Sequence, residues 1–128
     1  MSLEEIASRL VGDPAMIGVR LLVLHGSRAR GDHRPDSDWD FAALFDEDAD
    51  PAALVVAITT VVGSDAVDLV DLRRASALLR YRAARDGVLL WEHPAGEFLG
   101  FRLEAVQFWC DAGPVIRAAQ RDVLATLG

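Results

Sequence analysis

The chain has 128 residues, of which 52% are hydrophobic, so it can bury a compact core and is expected to form one domain over residues 1–128. Its formal net charge of −7 disfavours tight binding to nucleic acid. A single cysteine, no signal-peptide pattern and no apolar run long enough to span a bilayer predict a cytoplasmic protein that does not enter the membrane.

The first 93 residues alternate between segments that favour helices and segments that favour strands. Ser2 and Glu5 have capping-box spacing, and Asp50 followed by Pro51 marks a second helix start. Short apolar runs indicate strands, and the run before Gly26 is expected to be buried on both faces. The sequence predicts a helix over 2–10, a strand over 19–24, a loop over 30–37, a strand over 39–45, a helix over 51–62, a strand over 67–72, a helix over 75–86 and a strand over 88–91.

The C-terminal segment has a helical pattern that Gly113 and Pro114 interrupt. A proline inside a helix removes one backbone hydrogen bond and crowds the preceding turn, so the sequence predicts two helices over residues 97–127. Together the elements predict an α/β (α+β) fold, with a mixed β-sheet flanked by helices and with C-terminal helices beyond it.

Gly26 and Ser27 follow directly after the first predicted strand. A glycine lets the backbone turn sharply and come close to a ligand. Ser27 and the amides after it can open a short helix, whose N-terminus favours an anion such as phosphate. Arg28 adds a positive charge next to this turn. We therefore predict that Gly26, Ser27 and Arg28 bind a nucleotide; a role for Arg30 stays open.

Asp38 and Asp40 stand at the start of the second predicted strand. Side chains two positions apart on a strand point to the same face, whereas Trp39 points to the other. The two carboxylates can therefore hold the same metal ions. Hard carboxylate oxygens suit Mg²⁺, which binds one or two carboxylates together with substrate phosphates.

A third carboxylate is expected from the third predicted strand, which carries Asp68 and Asp71. These residues are three positions apart and face opposite sides of the sheet, so only one of them can join the site. Asp68 is favoured because apolar Val67 and Leu69 flank it, whereas Asp71 lies at the strand's end. Asp71 remains the alternative, as does a site with neither residue.

The motifs resemble a known superfamily. Gly-Ser, ten residues, then Asp-x-Asp is similar to the signature of the DNA polymerase beta-type nucleotidyltransferases, and HGSRARG and PDSDWDFA resemble its minimal, MNT-type members. The likeness covers roughly residues 18–93, the expected catalytic core, and extends weakly over the C-terminal helical region, 97–128. It implies the nucleotidyltransferase fold, ATP as substrate, and Mg²⁺, as two ions, held by Asp38, Asp40 and Asp68.

Family members of this size are commonly antitoxins encoded beside a HEPN-domain ribonuclease toxin. The resemblance implies transfer of AMP from ATP to a tyrosine hydroxyl of such a toxin, which would make the toxin this chain's partner. Two alternatives stay open: a non-catalytic antitoxin that acts by binding alone, and a nucleotidyltransferase with a small-molecule acceptor. The helix that carries Tyr81 among Arg80, Arg82 and Arg85 is interpreted as an ordinary amphipathic helix.

Overall fold

A computed structural model describes residues 1–127 and contains a sheet flanked by helices. Its regular elements are α1 (Leu3–Leu10), a 3₁₀ turn (Pro14–Met16), β1 (Val19–His25), α2 (Ser27–Arg30), β2 (Trp39–Phe45), α3 (Pro51–Val62), β3 (Val67–Asp71), α4 (Ala77–Asp86), β4 (Val88–Glu92) and α5 (Glu97–Leu127).

The sheet has the strand order β3-β2-β1-β4. β1 runs antiparallel to both β2 and β4, and β2 runs parallel to β3. The sheet is therefore mixed and the fold is α+β, as predicted. Because β1 has a neighbour on each side, it lies at the centre of the sheet, and six of its seven residues are buried.

Two apolar clusters cover the two faces of the sheet. On one face, Leu22 and Leu24 of β1 and Phe41 of β2 pack with residues of α1 and α3. On the other face, Leu21 and Val23 of β1 pack with residues of α4 and α5. Side chains alternate between faces along a strand, so the apolar run of β1 fills both clusters, as the sequence predicted.

The predicted helix starts are confirmed at the level of single hydrogen bonds. The Ser2 hydroxyl accepts the N–H of Glu5 at 3.1 Å, and the Asp50 carboxylate accepts the N–H of Ala53 at 3.1 Å. α4 begins two residues later than predicted because Ser76 caps it. These caps satisfy N–H groups that the first turn of a helix leaves without an intrahelical partner.

The prediction of two C-terminal helices is wrong, because α5 continues from Glu97 to Leu127 with Pro114 inside it. A proline costs the helix one hydrogen bond, but the helix-favouring residues on both sides of Pro114 keep the segment helical across this position. The first turns of α5 reach the core through Phe101 and Ala105. None of the helices in residues 1–127 is long and apolar enough to cross a membrane.

Phe41 tests the packing of the central sheet, since its side chain has no exposed surface. We expect Phe41→Ala to lower the free energy of unfolding by about 3–5 kcal/mol, because it removes a buried ring and leaves a cavity. Urea unfolding followed by circular dichroism measures the change. Phe108→Ala is the control, since that ring is 49% exposed, and it should cost about 1 kcal/mol or less. Equal losses would contradict the packing described here.

Candidate active site

A cleft of about 300 Å³ opens between one end of the sheet and α4. Its walls come from the last residue of β1, the start of β2, the strand β3, the α2 segment and one face of α4. The lining residues are His25, Gly26, Arg30, Asp40, Asp68, Val70, Leu79, Arg82 and Asp86. Four of the residues singled out from the sequence, Gly26, Arg30, Asp40 and Asp68, thus meet in one place.

Asp40 and Asp68 stand directly opposite each other on the parallel strands β2 and β3. Side chains opposite each other in a sheet point to the same face, so both carboxylates face the cleft. Asp71 faces the other way and, with Phe45 and Leu69, lines a groove beside α3. The expectation that Asp68 and Asp71 lie on opposite faces is confirmed, and the alternative that Asp71 joins Asp40 in the cleft is wrong.

Asp38 is exposed and precedes β2. It is near enough to Asp40 for its negative charge to raise the pKa of that carboxyl. Asp38 is not among the residues that line the cleft, so only Asp40 of the Asp-x-Asp pair faces it. Asp40 is fixed within a strand, whereas Asp38 ends the loop before it.

Gly26 is in close contact with the Asp40 carboxylate. Its backbone has φ 73° and ψ −159°, a region that only glycine adopts without strain. A Cβ at this position would overlap the Asp40 Oδ2 atom and lie 3.1 Å from Asp40 Cγ. The antiparallel pairing of His25 with Asp40 brings the two residues together, so Gly26 is needed both for its φ angle and for its missing side chain.

The electrostatics around Asp40 favour a cation. Burial raises the pKa of the Asp40 carboxyl, and the negative charges of Asp68 and Asp38 raise it further. Burial also lowers the pKa of His25, whose Nε2 atom is buried and has no hydrogen-bond partner. His25 is therefore a poor source of positive charge at neutral pH. A cation next to these carboxylates would relieve both the burial cost and their mutual repulsion.

The Asp40 and Asp68 carboxylates suit a Mg²⁺ ion that also binds substrate phosphates, and they do not form a complete metal site by themselves. Within residues 1–127, no three His, Cys, Asp or Glu side chains are gathered closely enough to hold a metal ion by themselves. Mg²⁺ usually keeps several waters and binds through one or two carboxylates together with substrate phosphates. Asp40 and Asp68 supply such a pair. The donor set therefore fits an ion that arrives with a phosphorylated substrate.

The Arg28 side chain lies against the loop before β2, although the sequence predicts that it binds a nucleotide with Gly26 and Ser27. Its guanidinium donates to the Ser37 carbonyl at 2.9 and 3.1 Å and to the Pro35 carbonyl at 3.2 Å, and it lies 4.1 Å above the Trp39 ring. The side chain thus ties the loop before β2 to α2 and is not among the residues that line the cleft. Nucleotide binding by Arg28 stays a prediction, and the structure gives its side chain a role in holding the loop.

Sequence reasoning missed the wall of the cleft that α4 provides. Leu79, Arg82 and Asp86 are spaced by three and four residues, so they share one face of the helix. That spacing is visible in the sequence. What the sequence could not show is which face of α4 turns towards the carboxylates, because apolar and charged residues are spread around this short helix.

Comparison with known proteins agrees with this geometry. Residues 4–95 match the family model described as Polymerase beta, Nucleotidyltransferase. The chain is 38% identical over 113 residues to protein adenylyltransferase MntA of Aphanizomenon flos-aquae, covering 78% of this chain and 73% of that protein. It is 37% identical over 76 residues to protein adenylyltransferase MntA of Shewanella oneidensis, covering 57% and 54%.

Solved structures resemble the whole described fold. A chain of a toxin–antitoxin complex with AMP-PNP superposes with a TM-score of 0.75 at 26% identity, covering 97% of this chain and 99% of that one. A chain of an MntA–HepT toxin–antitoxin complex superposes with a TM-score of 0.65 at 27% identity, covering 95% and 96%. The chain therefore belongs to the polymerase beta nucleotidyltransferase family, as one of its MNT-type minimal nucleotidyltransferases.

Proposed function

We propose that this chain transfers AMP from ATP to a tyrosine hydroxyl of a HEPN ribonuclease toxin and so acts as that toxin's antitoxin. The observation that carries the proposal is the cleft in which Asp40 and Asp68 face each other beside the Gly26 turn. Two relatives named protein adenylyltransferase support AMP as the transferred group. Similar chains from toxin–antitoxin complexes, one of them with AMP-PNP, support a toxin as the acceptor and ATP as the donor.

Mg²⁺ belongs to the same proposal, as two ions held by Asp38, Asp40 and Asp68. When bound, such ions offset the charge of the phosphates and lower the pKa of the acceptor hydroxyl. Asp40 and Asp68 already face the cleft. Asp38 is exposed at the end of the loop before β2, and it lies near enough to Asp40 for its charge to raise the pKa of that carboxyl.

The reaction forms a bond between the acceptor oxygen and the α-phosphorus of ATP. The bond from that phosphorus to the bridging oxygen breaks, pyrophosphate leaves, and the tyrosine proton passes to solvent or to a carboxylate. The protein's part is to hold the phosphates and the acceptor in line. In α2 the N–H groups of Ala29 and Arg30 donate to the Gly26 carbonyl, which leaves those of Ser27 and Arg28 for phosphate oxygens. Gly26 keeps the backbone close to Asp40.

A protein acceptor also fits the exposed surface of α5. Leu99, Leu103 and Val106 are spaced by four and three residues and are 61%, 65% and 43% exposed. Apolar side chains in a row on a helix favour burial against another protein. The net charge of −7 favours a partner with a basic surface.

The proposed chemistry is tested by replacing both aspartates of the Asp-x-Asp pair. We expect Asp38→Asn with Asp40→Asn to keep the fold and to lower toxin labelling by at least about 10³-fold, because the metal-binding charge is lost. Labelling is measured with ATP carrying radioactive α-phosphate, the purified chain and the toxin. Circular dichroism checks the fold.

Asp46→Asn with Asp48→Asn is the matched control, since it removes the same charge at the same spacing from an exposed loop. It should label the toxin at the wild-type rate. Persistent labelling by the Asp38 and Asp40 variant would reject the assignment. Protection of cells by that variant without labelling would instead support an antitoxin that acts by binding alone.

Gly26→Ala tests the close contact with Asp40. A methyl group here meets the Asp40 carboxylate and forces a backbone conformation that L-residues avoid, which costs about 1–3 kcal/mol in stability. We also expect a large loss of labelling, because Asp40 is pushed from its place. Gly31→Ala is the comparison, since that glycine has φ 84° but open space around it. Gly31→Ala should lose stability but keep more labelling activity than Gly26→Ala. Equal labelling by the two variants would count against the contact between Gly26 and Asp40.

Thermal unfolding tests whether Asp40 carries a cost that a metal ion removes. The folded-state pKa of Asp40 is raised, so its charge opposes folding at pH 7, and this penalty vanishes as the pH falls below the unfolded value of 3.8. Without divalent ions at pH 7, Asp40→Asn should melt at or above the wild-type temperature. Mg²⁺ with a non-hydrolysable ATP analogue should stabilise the wild type more than the variant. Equal stabilisation would contradict metal binding at Asp40.

A further inference from the structure

Arg82 projects from α4 into the cleft that holds the carboxylates. With Leu79 and Asp86 it forms the helical wall opposite Asp40 and Asp68. The position of this wall is fixed at its end, because β4 follows α4 directly and Val88 pairs with Leu24 of β1. The last turn of α4 therefore lies next to the end of β1, close to the Gly26 turn.

The donors of the Arg82 guanidinium are not taken up by the protein itself, although its charge acts on nearby Asp86. Within residues 1–127 its guanidinium makes no hydrogen bond, ion pair or ring contact. The two other arginines of α4 differ from it. Arg85 is paired with Asp86 at 2.8 Å, and the Arg80 guanidinium lies 5.9 Å from the ring centres of Phe101 and Phe108. Of the three, only Arg82 has free donors that face the cleft.

The cleft has an acidic side and an opposite side on which two arginines lie beside Asp86, whose carboxylate is paired with Arg85. Asp40 and Asp68 form the acidic side, on β2 and β3. Arg30 and Arg82 line the same cleft from α2 and α4. The hydrogen bond from Arg85 lowers the pKa of Asp86, and the positive charges of Arg30 and Arg82 lower it further, so both arginines lie near this carboxylate. The Arg30 and Arg82 side chains therefore both lie near Asp86.

We propose that Arg82, together with Arg30, binds the phosphate chain of the nucleoside triphosphate in this cleft. The inference rests on the proposed function, because it assumes that the cleft holds a nucleotide. A guanidinium matches phosphate oxygens with two parallel N–H donors. In an in-line transfer, negative charge grows on the departing pyrophosphate, so a cation placed there stabilises the transition state as well as the bound nucleotide.

The test compares Arg82→Ala, Arg82→Lys and Arg9→Ala by isothermal titration with α,β-methylene ATP and Mg²⁺. Arg9 is an exposed arginine of α1, an element that packs on the opposite face of the sheet, so its removal changes the net charge equally. We expect Arg82→Ala to raise the Kd for the analogue about tenfold. Arg82→Lys should fall between it and the wild type, and Arg9→Ala should leave the Kd unchanged.

AMP provides the second measurement, because it lacks the β- and γ-phosphates. Arg82→Ala should weaken the triphosphate analogue much more than AMP, whereas a general distortion of the cleft would weaken both alike. Equal Kd values for Arg82→Ala and Arg9→Ala, or equal losses for the analogue and AMP, would overturn the inference. The titration needs no acceptor, so a wild-type chain that failed to label the toxin would reject the proposed function and leave the Arg82 result standing.

Discussion

The parallel pairing of β2 with β3 places Asp40 directly opposite Asp68, and the geometry of the cleft depends on that register. A slip of one residue would turn Asp68 away from the cleft, because successive side chains on a strand face opposite sides. The antiparallel pairing of β1 with β2 then fixes Gly26 against Asp40, since His25 is the residue opposite Asp40. Two strand pairings thus determine the positions of the carboxylates and of the turn beside them.

The pair of carboxylates lowers the stability of the fold, and the buried apolar part of the sheet holds the pair in place. Two carboxylates side by side repel each other, and burial raises the pKa of Asp40. The cost falls at the end of strands whose middle parts are fully apolar, with Leu22, Leu24 and Phe41 free of solvent contact. Apolar burial holds β1 and β2 in register, and β2 pairs with β3 from Trp39 to Ala43, so the two carboxylates stay opposite each other. Two carboxylates that repel each other keep their positions only on such a rigid base.

The strands and the aspartate spacing could be predicted from the sequence because each depends on local pattern. Apolar runs located β1 and β2, and the odd separation of Asp68 from Asp71 placed them on opposite faces, which the pairing of β3 confirms. Tertiary relations could not be predicted in this way. Arg82 reaches the cleft only because β4 pairs with β1 and orients α4, and Arg28 turns to carbonyls of a loop whose path the sequence does not define. The predicted helix break at Pro114 is wrong because the pattern counts only the local cost of proline and not the helical turns on either side.

The separation of charge within the cleft explains how an acidic chain can bind a polyanion. A net charge of −7 opposes a triphosphate at long range, but at physiological ionic strength charges are screened beyond about 8 Å. Binding is therefore decided by groups inside the cleft. There, Arg30 and Arg82 offer positive charge directly, whereas Asp40 and Asp68 attract phosphate only through a cation that they hold. In the proposed function, the same carboxylates that raise the net negative charge favour a phosphate that arrives with a metal ion.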